Sequence, residues 1–190
     1  MFSNAFSTQF RMLPIWNMPW SMQQSSRSTA PLSAIEDNRL PGNGTGRKRG
    51  TQNQAIGKSK GGMTTKILAL TDALGNLVHF VLLPGQRFDT VGVAPLIKDI
   101  EFDGLIADKA FDSNAIIEEL NERGAKTVIS QHSRRTVPIQ IDADIYKWRH
   151  LIESFFCKLK EFKRIAMRAD KTDRSFAAMI CLCSAVINSR

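Results

Sequence analysis

A single carboxylate with three polar partners marks a stretch near the end of the sequence. Tyr146, Arg149, Glu153 and Lys160 share one face of a helix, because about 100° of rotation per residue returns their spacings to a common side. The apolar residues of the stretch fall mainly on the opposite side: Leu151, Ile152, Phe155, Leu159 and Phe162. Arg149 lies one turn before Glu153, close enough to orient its carboxylate. The same pattern is also typical of the solvated side of an amphipathic helix.

A second candidate carboxylate is Asp108, which ends the apolar run 104–107. An acid at the carboxyl end of a buried strand stands where α/β sheets place their ligands. Two carboxylates, one on such a strand end and one on a nearby helix, can hold a divalent cation through oxygen. The alternative is an aspartate that caps the turn after its strand.

A basic loop precedes the regular part of the chain. Gly57-Lys58-Ser59 resembles the end of a phosphate-binding P-loop, but Gln52 stands where that loop needs its first glycine. We therefore interpret the segment as a flexible loop that lies along DNA phosphates. Its candidate DNA-binding residues are Lys58, Lys60 and Lys66.

The overall charge favours a polyanionic partner. The chain carries a net charge of +8, which suggests nucleic acid first and an anionic membrane surface second. No apolar run is long enough for a transmembrane helix, and the first residues do not form a convincing signal peptide. Three cysteines without zinc-ligand spacing predict reduced, buried thiols. We expect a cytoplasmic protein without membrane contact.

Basic residues are dense in the C-terminal helical region. A solvated helix surface is one explanation, but few acids separate these cations, which favours contact with DNA phosphates. The residues predicted to make most of this contact are Lys158, Lys163, Arg164 and Arg168.

The chain divides into three parts by composition. Residues 1–45 lack any helical or strand period and are predicted to be poorly structured and outside the packed domain. Residues 46–66 form a Gly- and Lys-rich linker, and 67–190 form the folded domain. The elements predicted there are a hairpin of strands 65–71 and 77–83, a helix 90–99, strand 104–107, helix 114–122, strand 126–130, and helices from 143 with a break at 169–172. This order predicts a mixed α/β sheet.

Three stretches together resemble a known family. Residues 55–67 match a Gly-rich lead into a sheet, and residues 106–112 match a second-aspartate motif with Ala110-Phe111 where Gly-Tyr is common. Arg149 and Glu153 fall within a YREK signature. From Gly46 onward the chain resembles the C-terminal portion of DDE transposases of the insertion-sequence-five family, within the insertion-sequence-four-like superfamily.

The resemblance implies an RNase H-like mixed sheet with flanking helices and metal-dependent DNA chemistry. Asp108 would be the second acid and Glu153 the third, together holding Mg²⁺ or Mn²⁺ for cleavage at transposon ends and strand transfer to target DNA. Arg149 and Lys160 would position the DNA backbone and Glu153, with Tyr146 supporting the same face. The implied partners are double-stranded DNA and either a second copy of the chain or an intact transposase.

The chain departs from the family where the first aspartate is expected. Asp37 is near the expected position, but its neighbours do not form an apolar strand. The first, central strand is therefore predicted to be missing and the chain to be inactive alone. A reading of residues 16–29 in a shifted frame resembles the family's first-aspartate strand, with the aspartate across the codons of Ser21 and Met22, which suggests a frameshift. The alternatives are a non-enzymatic DNA-binding protein that competes with intact transposase, and an unrelated α/β protein in which Asp108 and Glu153 are structural.

Overall fold

A computed structural model describes residues 12–21 as backbone, together with residues 54–59 and 62–189. The remainder of the predicted N-terminal segment, including Asp37, and part of the linker, including Lys60, lie outside the described residues. The strands are β1 (Met12–Ser21), β2 (Gly57–Ser59), β3 (Gly62–Thr71), β4 (Leu77–Pro84), β5 (Gly104–Ala107) and β6 (Lys126–Ile129).

These strands form a single mixed sheet with β1 in its centre. β1 runs antiparallel to β3, with Ile15 opposite Leu70, and parallel to β5, with Ile15 beside Ala107. β4 forms an antiparallel hairpin with β3, and the short β2 pairs with the beginning of β3. β6 lies outside β5 and runs parallel to it. The fold is therefore mixed α/β, as predicted.

Alternation along β3 divides the core between the two faces of the sheet. Leu68 and Leu70 belong to one apolar cluster, and Ile67 and Ala69 belong to another. All four are fully buried, because successive side chains of a strand point to opposite faces and here both faces are covered by helices. The sheet is thus the middle of three layers.

The helices cover these two faces. α1 (Val93–Ile97) and α2 (Asn114–Glu122) pack on the first cluster. The second is covered by α4 (His150–Glu161), α5 (Lys163–Ala166) and α6 (Asp173–Asn188), while the short α3 (Ala143–Tyr146) leads into α4 through a 3₁₀ turn, Lys147–Arg149. On α4 the buried residues Ile152, Phe155, Phe156 and Leu159 follow the spacing of one helical face.

Most of the elements predicted downstream of the linker are confirmed. The β3–β4 hairpin forms, and strand 104–107 and helix 114–122 have their predicted bounds. After α2 the chain turns at Gly124, whose φ of 68° is a conformation that glycine adopts without a steric penalty. β3 begins at Gly62, earlier than predicted, because pairing with β2 extends it into the linker.

The prediction of a missing central strand is corrected. Met12–Ser21 lies in the segment predicted to be poorly structured, yet it occupies the position between β3 and β5. Both neighbouring strands present backbone N–H and C=O groups on the sides facing this position, and an extended segment satisfies them. The strand was not predicted from the sequence because the apolar residues of Met12–Ser21 do not alternate with polar ones.

The cysteine prediction is also corrected in part. Cys183 is buried, but Cys157 and Cys181 lie on exposed positions of α4 and α6. All three are free thiols, and burial raises the pKa of the Cys183 thiol. None of the helices that the structure describes is long and apolar enough to cross a membrane.

Candidate active site

Asp108 follows β5 directly and begins the next turn. β5 is buried along its whole length, so Asp108 emerges at the edge where the sheet reaches the surface. Its Oδ1 accepts a hydrogen bond of 2.8 Å from the backbone N–H of Lys109, which caps the 3₁₀ turn Lys109–Phe111. The aspartate is therefore a turn cap, and its Oδ2 has no hydrogen-bond partner within the described part of the chain.

The structure brings together three of the four residues of the predicted helical face. Nη2 of Arg149 lies 3.1 Å from Oε1 of Glu153, one helical turn away. The same guanidinium lies over the ring of Tyr146, 5.5 Å from its centre. Arg149 thus spans the gap between the end of α3 and the first turn of α4.

Lys160 does not join this group. It lies on an exposed position in the last turn of α4, seven residues beyond Glu153, which corresponds to a rise of roughly 10 Å along a helix axis. Lys160 forms no hydrogen bond or ion pair with the other residues that the structure describes.

Asp108 and Glu153 lie on elements that meet at the sheet. The 3₁₀ turn that carries Arg149 packs against β1 and β5, and α4 packs against β1 and β3. Among the residues that the structure describes, no three His, Cys, Asp or Glu side chains gather as a metal site would require.

The position beside Asp108 is held by a residue that cannot replace a carboxylate. Ile15 pairs with Ala107 in the parallel register, so the next positions along the two strands are Trp16 and Asp108. No residue of Met12–Ser21 is acidic, and the amide of Asn17 is the only carboxyl derivative among them. A two-metal site needs carboxylates that bridge and flank the cations. The acids in the described residues do not fit one.

The predicted DNA-binding cations divide into exposed and engaged groups. Lys58, Lys158 and Lys163 are exposed. Lys66 instead donates to Oδ1 of Asp89 at 2.7 Å and to the carbonyl of Arg87 at 2.8 Å. Arg164 lies at the surface but forms two hydrogen bonds to Asp170, whose carboxylate is nearly buried.

The prediction that Arg168 contacts DNA is wrong. The residue is only 1% exposed, with the guanidinium 4.9 Å from the centre of the Phe176 ring. It donates to the carbonyl of Ala55 at 2.9 Å and pairs with Asp173. Asp173 in turn accepts the backbone N–H of Ala55 at 2.6 Å. This arrangement, the Arg168 clamp, fixes the chain before β2 against the start of α6.

An ion pair near the carboxyl end of β5 was not predicted from the sequence. Arg135 pairs with Asp112, whose side chain is 3% exposed. Both residues lie in loops, and the arginine follows another arginine, Arg134, so residue type alone cannot tell which of the two is inward. An isolated Asp–Arg pair far apart in sequence leaves no periodic signal.

Similarity to known proteins gives the family. The sequence profile of the family described as transposase DDE domain matches residues 28–188. A putative transposase for the insertion sequence element IS6501 from Brucella ovis is 35% identical over 128 residues, which cover 66% of this chain and 98% of that protein. No solved structure matches the chain.

The profile match and the mixed α/β fold together define the class of this chain: a transposase DDE domain. The chain belongs to the transposase DDE domain family. Proteins of this family act in DNA transposition, and their chemistry typically uses a divalent metal.

Proposed function

We propose that this chain is an insertion-sequence-five-type DDE transposase domain that binds DNA but does not cleave it. The family membership supports a role in DNA transposition. The positions of Tyr146, Arg149 and Glu153 support the YREK assignment, since one guanidinium touches both of the other residues.

An RNase H-like fold is the architecture that best accounts for the strand order. A central strand antiparallel to a hairpin on one side and parallel to two strands on the other matches that sheet. Glu153 on the helix over the sheet and Asp108 after the parallel strand β5 are consistent with the third and second acids of such a site.

The proposal that this chain does not cleave DNA rests on the absence of a carboxylate in β1. Asp108 and Glu153 would be the acids available to bind Mg²⁺ or Mn²⁺, and Glu153 already pairs with the guanidinium of Arg149. In the described residues no third acid joins them. The shifted reading would place an aspartate near Ser21, which the register sets opposite Thr64 rather than beside Asp108. In the present frame, therefore, β1 supplies no acid beside Asp108.

A nicking assay tests the proposal. The purified chain is incubated with Mg²⁺ or Mn²⁺ and DNA carrying the ends of the element, beside Asp108→Ala and Glu153→Ala variants. We expect no nicking above the level of either variant. Nicking by the parent chain that disappears in both variants would show a complete site, and Asp37→Ala would then identify the missing acid.

DNA binding without cleavage is the second half of the proposal. Lys158, in the last turn of α4, and Lys163, at the start of α5, are both exposed, and we assign them the main phosphate contacts. We expect each phosphate contact to contribute about 0.9 to the slope of log affinity against log salt. The Lys158→Ala/Lys163→Ala variant should lower the slope by about 2, whereas Lys98→Ala, at an exposed position after α1, should leave it unchanged. Equal slopes for all three proteins would contradict this assignment.

Competition with an intact transposase is the biological role that such a protein would serve. It requires that DNA is held and not cut, which is the combination that the exposed cations and the missing acid favour. Adding this chain to a cleavage reaction of an intact transposase should reduce product, and the Lys158→Ala/Lys163→Ala variant should reduce it less. Inhibition of equal strength by both would point instead to a mixed oligomer of the two chains.

A further inference from the structure

A polar cavity lies beside the edge of the sheet at which Asp108 emerges. Its volume is about 330 Å³, and its lining includes Asp112, His132, Arg134 and Thr136. Asp112 comes shortly after β5, and the other three come shortly after β6, so the cavity sits at the carboxyl ends of two parallel strands. Sheets of this kind bind ligands at that edge.

Hydrogen bonds and an ion pair hold the wall of the cavity in place. The carboxylate of Asp112 accepts the backbone N–H of His132 at 2.8 Å and also pairs with Arg135. Arg135 donates further to Oδ1 of Asn114 at 2.9 Å and to the carbonyl of Val137 at 3.0 Å. Its guanidinium is therefore committed to holding the loop after β6, and its charge is balanced by Asp112.

The base of the same loop is closed by reciprocal hydrogen bonds. Oε1 of Gln131 accepts the backbone N–H of Ile139 at 2.9 Å, and its side-chain amide donates to the carbonyl of Ile139. The Gln131 side chain thus joins the two ends of the loop with two hydrogen bonds, like those between paired β-strands. The cavity consequently has a preformed shape, which lowers the entropic cost of binding.

One cation in this wall has no hydrogen-bond or ion-pair partner among the described residues. Arg134 is exposed, borders the cavity, and makes no hydrogen bond or ion pair within the described residues. Because Arg135 and Asp112 neutralise one another, Arg134 sets the sign of the site. The exposed hydroxyl of Thr136 and the ring of His132 add hydrogen-bonding groups beside it. A planar guanidinium with nearby hydroxyl and ring groups suits the oxygens of a phosphate.

We propose that this cavity binds one phosphate of a DNA strand, with Arg134 as the residue that contacts it. The inference rests on the proposed DNA-binding function and adds a second contact point on the sheet edge, separate from the cations of α4 and α5. A strand that passes Asp108 would reach it next, because both lie at the carboxyl end of β5. The phosphate can belong to an internal phosphodiester or to a strand terminus.

Fluorescence anisotropy with the full chain tests this inference. Binding of a labelled duplex is measured across a salt series for the parent chain, Arg134→Ala, Arg134→Lys and Arg87→Ala. Arg87 is the matched control, an exposed arginine just after β4, on the side of β1 opposite β5 and β6. We expect Arg134→Ala to lower the salt slope by about 0.9, Arg134→Lys to restore most of it, and Arg87→Ala to change nothing. Duplexes with and without terminal phosphates then distinguish the two sources of the phosphate.

The outcomes separate this inference from the function on which it rests. If the parent chain binds DNA and the salt slope of Arg134→Ala is unchanged, the phosphate site is overturned and DNA binding is not. A parent chain that binds no DNA at any salt concentration overturns both. Arg134 is exposed and forms no hydrogen bond or ion pair with the other described residues, so we expect its replacement to leave the thermal unfolding midpoint unchanged, and that measurement separates a lost slope from misfolding.

Discussion

Nη2 of Arg149 and Oε1 of Glu153 lie 3.1 Å apart, so the carboxylate best placed to serve chemistry is already held by a cation. The pair is local, since both residues lie on one continuous helical stretch. It is also partly solvated, with the glutamate side chain 40% exposed. The pair orients Glu153 without burying it, which is an arrangement suited to a carboxylate that must remain accessible.

The stability of the fold should hardly depend on this pair. Exposed ion pairs contribute about 0–1 kcal/mol, because water and side-chain entropy offset their attraction. We expect Glu153→Gln to change the free energy of unfolding by less than about 1 kcal/mol in urea denaturation. A loss of several kcal/mol would mean that Glu153 is a structural residue, as in the unrelated α/β alternative.

The Arg168 clamp should behave in the opposite way. Removing one partner of a buried ion pair typically costs about 3–5 kcal/mol, and Asp173 keeps part of its solvent contact, so we expect Arg168→Ala to lower the free energy of unfolding by about 3 kcal/mol. Arg174→Ala, at an exposed position of α6, is the control and should cost less than about 0.5 kcal/mol. Similar losses for the two variants would contradict the buried position of Arg168.

Acid stability should report on Asp170. Hydrogen bonds from Arg164 lower the pKa of this carboxyl from 3.8, and the attraction of the same charge lowers it further. Because the folded pKa lies below the unfolded one, the contribution is fully present above pH 3.8 and is lost as the pH falls through the folded value. In denaturant unfolding across this range, Asp170→Asn should show a shallower loss of stability than the parent chain. Glu101→Gln, which removes an exposed acid, should follow the parent curve.

Hydrogen exchange should distinguish β1 from its neighbours. Pro14 and Pro19 have no amide hydrogen, so this central strand cannot donate at two of its positions. We expect peptides from residues 12–21 to exchange faster than peptides from 65–71, where β3 is buried and paired on both sides. Equal protection in the two strands would show that the prolines fall at positions where no hydrogen bond is needed.

The sequence predicted those elements whose residues repeat with a clear period. The β3–β4 hairpin has turn residues between two apolar runs, and α4 has its buried residues at helical spacing, so both could be located. β1 could not, since two prolines and a lack of alternation contradict the usual signs of a central strand. The strand exists in the sheet because of neighbours that lie far along the chain.

The candidate site was only partly accessible to the same reasoning. Helical spacing was enough to associate Arg149 with Glu153, because the two residues are one turn apart. The depth of Arg168 was not predictable, since its partners Ala55 and Asp173 come together only when the chain before β2 meets α6. A basic residue in a basic stretch looks like a surface residue until its distant partners are known.

The central position of β1 also sets a constraint on the order of folding. The β3–β4 hairpin joins neighbours in sequence, so its loop is short and closes rapidly. β1 must instead find partners on β3 and on β5, and both pairings enclose long stretches of chain. Such non-local contacts slow folding. Until β1 docks, the facing edges of β3 and β5 can pair with any other extended segment, including the β1 of a second molecule. The yield of folded monomer should therefore fall as the protein concentration during refolding rises.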